Sequence, residues 1–143
     1  MGRIPPEDWA LPMIDALNED FFTAGRLLLQ ACRACSAVQH PPEHVCRSCQ
    51  GADFESRESV GTGTVYSFTV AHYPAHPSLS DSVPYAAVLV ELDDYKHVRL
   101  TGNVLDVEPS EVAIGMRVRV VWQEVQDASG QMLKIPQWQR AEA

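Results

Sequence analysis

The stretch CRACSAVQHPPEHVCRSC, residues 32–49, decides how this chain is read. Two Cys-x-x-Cys pairs, Cys32/Cys35 and Cys46/Cys49, are separated by a ten-residue loop, and the sequence of 143 residues holds four cysteines in all. Within each pair the thiolates can curl toward a common point. A reversal between the pairs then presents four sulfurs in a tetrahedron, the arrangement a structural Zn²⁺ takes. Pro41 and Pro42 stiffen that reversal. Two disulfides are the weaker reading, because the start of the chain predicts a reducing compartment.

On either side, Arg26–Ala31 (RLLLQA) reads as a strand entering the first knuckle, and Asp53–Val60 (DFESRESV) as the strand returning from the second. Strand, knuckle, loop, knuckle, strand is the layout of a zinc ribbon. A segment this short has few apolar residues, so metal substitutes for a core and the ribbon is expected to need it. Upstream, Pro5, Pro6 and Pro12 make residues 1–12 an irregular arm carrying Trp9 and Leu11. Met13, Ile14, Leu17, Phe21 and Phe22 then recur at three- and four-residue intervals, which predicts an amphipathic helix from Met13 to a stop at Gly25. That helix has two open uses: packing on its own domain, or meeting another subunit.

Downstream, Gly61 and Gly63 mark a change of composition. Thr64–Tyr73, Tyr85–Leu92, Val98–Val104, Met116–Val125 and Gln131–Trp138 read as five strands, with a proline- and serine-rich loop after the first and a connector after the third. In the fourth, Met116, Val118, Val120 and Trp122 alternate with Arg117, Arg119, Val121 and Gln123. Ala128-Ser129-Gly130 makes the last hairpin turn. Five strands in about 80 residues suit a small closed barrel of the OB type. The chain is therefore mainly β: 1–26 an arm and helix, 27–60 a zinc ribbon, 61–143 an OB-fold domain.

The balance of 11 basic against 19 acidic side chains gives a net charge of −8. Four thiolates on one Zn²⁺ add about two more negative charges. Nucleic-acid affinity rests on phosphate neutralisation, so this balance argues against a general DNA or RNA binder. No apolar run is long enough to cross a membrane. The prolines and acids of MGRIPPEDWALP do not make a signal peptide, and Pro6 stands where a myristoylation start needs Ser or Thr, so a cytoplasmic protein is expected.

Taken together, these pieces resemble a known family: OB-fold proteins with an N-terminal rubredoxin-like zinc ribbon that accompany acyl-CoA enzymes. The resemblance is carried by Phe21-Phe22, Leu29-Gln30 before Cys32-x-x-Cys35, His40-Pro41-Pro42 before Cys46-x-x-Cys49, Gly61-Thr62-Gly63-Thr64-Val65-Tyr66-Ser67, the loop from His72 to Pro84-Tyr85, and Ile114-Gly115-Met116. It implies that Cys32, Cys35, Cys46 and Cys49 ligate structural Zn²⁺. It also implies an accessory subunit of a thiolase-superfamily enzyme, an acyl-CoA thiolase or a lipid-transfer-protein-type aldolase of steroid side-chain degradation, with which the chain shares its acyl-CoA ligand. A hot-dog-fold hydratase is a further partner of that family. Knuckles commonly place glycine just after the second cysteine. Ser36 follows Cys35 and Gln50 follows Cys49, which predicts a looser geometry around an intact ligand set.

Other candidates for chemistry each have a plainer reading. His72, His76 and Asp81 are the residue types of a metal or acid–base site, but a loop with three prolines gives them no common face, and they read as polar loop side chains. His40 and His44 read as exposed bystanders of the four cysteines. Arg117 and Arg119 are spaced to meet CoA phosphates, and equally to line a solvated strand face. Asp93-Asp94 sits in a turn. With no Ser/His/Asp elbow, Walker loop or dinucleotide fingerprint, no catalytic residue is assigned. Two other classes stay in view. One is a single-stranded nucleic-acid module stacking bases on Tyr66, Phe68 and Tyr85. The other is iron-based electron transfer at the same four sulfurs.

Overall fold

A computed structural model describes residues 10–142. The proposed arm residues Pro5, Pro6 and Trp9 lie outside the described residues.

Met13 to Gly25 does not form one helix. Only α1 (Glu19–Thr23) is helical. Before it, side chains take the place of the helical ladder: Asp15 Oδ1 accepts from the N–H groups of Leu17 and Asn18 at 2.9 and 3.0 Å, and Asn18 Oδ1 accepts from the Asp15 N–H at 2.9 Å. Asp and Asn compete with helix in this way, so the apolar spacing was real but the local bonding took another path. Phe21 is buried while Met13 is 89% exposed, so the stretch does not bury one continuous face.

The ribbon is a three-stranded antiparallel sheet. Its strands are β1 (Leu28–Cys32), β2 (Val38–Gln39) and β3 (Phe54–Glu58), in the order β2-β1-β3. The expected strands thus stand, shifted by one or two residues, and β2 is an addition. Gln30 faces Gln39, and Cys32 faces Phe54.

The second sheet is the five-stranded barrel. It comprises β4 (Thr62–Ala71), β5 (Tyr85–Leu92), β6 (Arg99–Asn103), β7 (Arg117–Gln126) and β8 (Met132–Arg140), in the order β6-β5-β4-β7-β8. A parallel bridge between Val104 and Trp138, with the Leu105 N–H on the Trp138 carbonyl at 2.9 Å, brings the two edges together. β4 pairs with β5 along its length but with β7 only at Thr62–Thr64, and a bulge at Tyr66 sits where it leaves β7. A bulge bends and twists a strand, which a small barrel requires of the strand shared between its two halves. Gly63 permits the closest approach: a Cβ there would collide with the Glu91 carbonyl oxygen and lie 2.7 Å from a Val90 methyl.

Ribbon and barrel share one hydrophobic core. Leu27, Leu29, Ala31 and Val38 pack in the same cluster as Val65, Val88, Val90, Leu100 and Trp138. Each buried Leu stabilises by about 1.5–3 kcal/mol relative to exposure, so the ribbon does not rest on metal alone. The seam is also hydrogen-bonded: the Ser59 N–H reaches the Leu27 carbonyl at 2.8 Å, and His97 Nε2 meets the Val38 carbonyl at 2.7 Å. Among the described residues, no helix is long and apolar enough to cross a membrane.

Candidate functional site

The four cysteines converge. Their sulfurs lie within 4.8 Å of one another, and the Cys32–Cys49 and Cys35–Cys46 pairs are each 3.6 Å apart. Four sulfurs around Zn²⁺ at about 2.3 Å stand about 3.8 Å apart along each tetrahedral edge. The donor set therefore fits a thiolate-bound metal with little adjustment.

Both knuckles use the same backbone device. The Cys32 N–H donates to the Ala37 carbonyl and the Ser36 N–H to the Cys32 carbonyl, each at 2.8 Å. Fourteen residues on, the Cys46 N–H donates to the Gly51 carbonyl at 2.8 Å and the Gln50 N–H to the Cys46 carbonyl at 2.9 Å. The glycine missing after each second cysteine does not loosen this geometry, because Ser36 (φ 65°) and Gln50 (φ 62°) themselves adopt the left-handed conformation. Such a conformation costs an L residue roughly 1–2 kcal/mol.

Backbone N–H groups and the neighbouring thiols pull on the sulfurs in opposite directions. Without metal, the Cys46 thiol is lowered to about 7, first by the Cys49 N–H and then by the Ser48 N–H, whose nitrogen is 3.4 Å from the sulfur. Cys35 is pushed up to about 12: the Ala37 N–H pulls it down, but the neighbouring Cys46, burial, and the other two thiols outweigh that pull. Protons are thus shared unequally within one cluster, as expected where four thiolates cannot coexist without a cation.

Two glutamines stitch the loop between the knuckles. Gln39 Nε2 donates to Gln30 Oε1 at 2.7 Å and to the Val45 carbonyl at 3.1 Å, while Gln39 Oε1 accepts from the Arg47 N–H at 3.0 Å. Gln30 Nε2 donates to the Glu43 carbonyl at 2.8 Å. Gln39 is buried. No local pattern marks Gln39 for this role, whereas Gln30 stands within the family pattern.

His40 is not an exposed bystander. It is partly buried, its ring lies 4.8 Å from that of Phe21, and burial, with a smaller contribution from Arg47, lowers it to about 4. It is neutral at neutral pH, and it lines a cleft of about 630 Å³ between the arm, the ribbon and the barrel. His44 is exposed. His72, His76 and Asp81 form no metal-holding group with one another; His76 Nδ1 instead meets Ser78 Oγ at 2.8 Å.

Arg117 and Arg119 do not form a free cationic pair. Arg117 grips both oxygens of Asp93 at 2.6 Å and donates to Thr64 at 3.0 Å, and Arg119 donates to Gln139 at 2.8 Å. Asp94 ties down the linker between ribbon and barrel through Ser59 and Val60. Of the aromatic residues, Tyr66 is covered by the Arg99 guanidinium at 3.8 Å, and Tyr85 lines the cleft. Tyr66 and Phe68 are exposed on β4, so what opposes the nucleic-acid reading is the net charge of −8.

Comparison with known proteins agrees with this architecture part by part. Residues 23–55 match the rubredoxin-like zinc ribbon domain of ChsH2, and residues 56–123 match the C-terminal OB-fold domain of ChsH2. The chain belongs to the ChsH2 family. A solved chain described as Ltp2-ChsH2(DUF35) aldolase aligns with a TM-score of 0.76 and 37% identity, over 91% of this chain and 98% of that one. A DUF35 domain-containing scaffold protein of Methanocaldococcus jannaschii is 31% identical over 97 residues, 67% of each chain. A probable enoyl-CoA hydratase alpha subunit of Thermomonospora curvata is 40% identical over 116 residues, 79% of this chain and 35% of that one. The 3-oxo-4,17-pregnadiene-20-carboxyl-CoA hydratase alpha subunit of Mycobacterium tuberculosis is 35% identical over 96 residues, 67% of this chain and 30% of that one. The chain thus spans about a third of the length of these two hydratase subunits.

Proposed function

We propose that this ChsH2-family chain is a non-catalytic accessory subunit of a thiolase-superfamily enzyme, an acyl-CoA thiolase or aldolase acting in steroid side-chain degradation, and that it shares the acyl-CoA ligand with that partner in the cytoplasm. The observation that carries the reading is the 37% identical chain described as Ltp2-ChsH2(DUF35) aldolase, of which 98% is matched. The scaffold description of the M. jannaschii relative points the same way. Partnership with a hot-dog-fold hydratase draws on the hydratase alpha subunits alone and is the lesser reading.

Cys32, Cys35, Cys46 and Cys49 would hold a structural Zn²⁺. The metal supplies no redox chemistry of its own and leaves no open coordination position when four thiolates bind it. It would fix the ribbon against the barrel as a rigid docking surface. A colourless protein with one zinc per chain supports this, whereas an iron-coloured one supports electron transfer.

A tagged chain expressed in its native host and recovered with its partners tests the assignment. A thiolase-like subunit in stoichiometric amount is expected in the recovered complex. Recovery of the chain alone, or with nucleic acid that salt removes, would overturn it.

A further inference from the structure

The cleft between the ribbon and the barrel has the lining of a ligand site, and its chemistry names what it takes. Its volume of about 630 Å³ falls in the range of about 300–1,000 Å³ that holds drug-sized ligands. Its walls come from three parts of the chain: Leu11 from the arm, Phe21 and Phe22 from α1, and Leu100 and Ile135 from the barrel. Among the described residues, no Lys, Arg, Asp or Glu lines it.

Three polar groups stand among these apolar walls without a hydrogen-bond partner among the described residues: the His40 imidazole, the Tyr85 hydroxyl and the Thr101 hydroxyl. Beside them Asn103 and Gln137 are already satisfied, since Gln137 Oε1 accepts from the Asn103 N–H at 2.7 Å and Asn103 Nδ2 donates to the Ala86 carbonyl at 2.9 Å. The cleft therefore offers apolar contact together with free hydroxyl and imidazole groups. It offers nothing to phosphates, and the charge of −8 on the whole chain opposes them further.

We propose that this cleft binds an uncharged, apolar acyl or alicyclic body bearing a keto or hydroxyl oxygen, with His40, Tyr85 and Thr101 meeting the oxygen. That such a body arrives as the acyl end of a CoA thioester rests on the accessory-subunit reading; that the cleft binds it does not. The nucleotide end of the thioester then lies outside this cleft, on the partner or in solvent.

Equilibrium dialysis of the zinc-loaded full-length chain against progesterone, octanoyl-CoA and free CoA tests the site. Progesterone or octanoyl-CoA is expected to bind, which separates a ring body from a chain, and free CoA is expected not to displace either. Thr101→Trp fills the cleft from an exposed strand position and should abolish binding while zinc content and circular dichroism stay unchanged. Tyr85→Phe removes one hydroxyl and should weaken progesterone by about two- to tenfold, the effect of one hydrogen bond. Absence of binding by both probes, unaltered binding to Thr101→Trp, or full displacement by free CoA would each overturn the proposal. Because partner recovery is measured separately, a failure here leaves the accessory-subunit assignment standing.

Discussion

Asp94 holds Ser59 across the seam between ribbon and barrel: the Ser59 hydroxyl donates to Oδ1 at 2.7 Å, while the neighbouring Val60 N–H donates to Oδ2 at 2.8 Å. Ser59 is buried, so removing its acceptor strands a desolvated hydroxyl. Asp94→Ala is expected to lower unfolding free energy by about 1–3 kcal/mol in urea titration. A change within the scatter of repeat titrations would show that the seam rests on apolar contact alone.

Gly63, one of two glycines that mark a change of composition in the sequence, lies inside β4 and is required by barrel packing. A Cβ at this position meets the backbone oxygen of Glu91, which cannot move without parting β4 from β5. Gly63→Ala should therefore destabilise by about 1–3 kcal/mol, the usual cost of overpacking, and sharpen no local structure in return. Thermal unfolding measures it, and an unchanged midpoint would contradict the packing described for β4.

The Asp93–Arg117 pair makes an acid-sensitive contact. Hydrogen bonds from Arg117, then from Thr62, lower Asp93 from 3.8 to about 2. A carboxyl depressed on folding binds its proton more tightly in the unfolded chain. Its contribution is complete above about pH 4 and is lost as pH falls toward 2. Both partners are about one-third exposed, so solvent trims the effect. Arg117→Gln should bring the Asp93 titration, followed by carboxyl NMR shifts, back toward its ordinary value. An unshifted titration would remove the pair from the account.

Ser36 and Gln50 hold left-handed backbone that glycine adopts without strain. Relief of roughly 1–2 kcal/mol against the extra entropy of an unfolded glycine, roughly 0.5–1 kcal/mol, predicts a net gain. Ser36→Gly and Gln50→Gly should each raise the resistance of the zinc-loaded chain to chelator. A loss of resistance in both would mean that the side chains, and not the φ angles, matter at the knuckles.

The four cysteines and the five barrel strands were legible because their signals are local: fixed Cys spacing, β-branched runs and turn residues. Tyr85–Leu92 stands in the structure with those bounds. The helix expected from Met13 does not form in full, because apolar spacing does not register that Asp15 and Asn18 side chains bond the backbone themselves. β2 escaped notice because its two residues are held by Gln30 and Gln39, a pairing across nine positions. His40 was misplaced for the same reason. Its burial depends on Phe21, nineteen residues upstream, and no local pattern connects them.

Titrating the purified thiolase-like partner with the zinc-loaded chain, and following thioester cleavage, shows whether this chain works as part of another enzyme. Activity is expected to rise with added chain and to reach a plateau at a fixed stoichiometry. A partner that is fully active alone, with no response to the chain at any ratio, would contradict it.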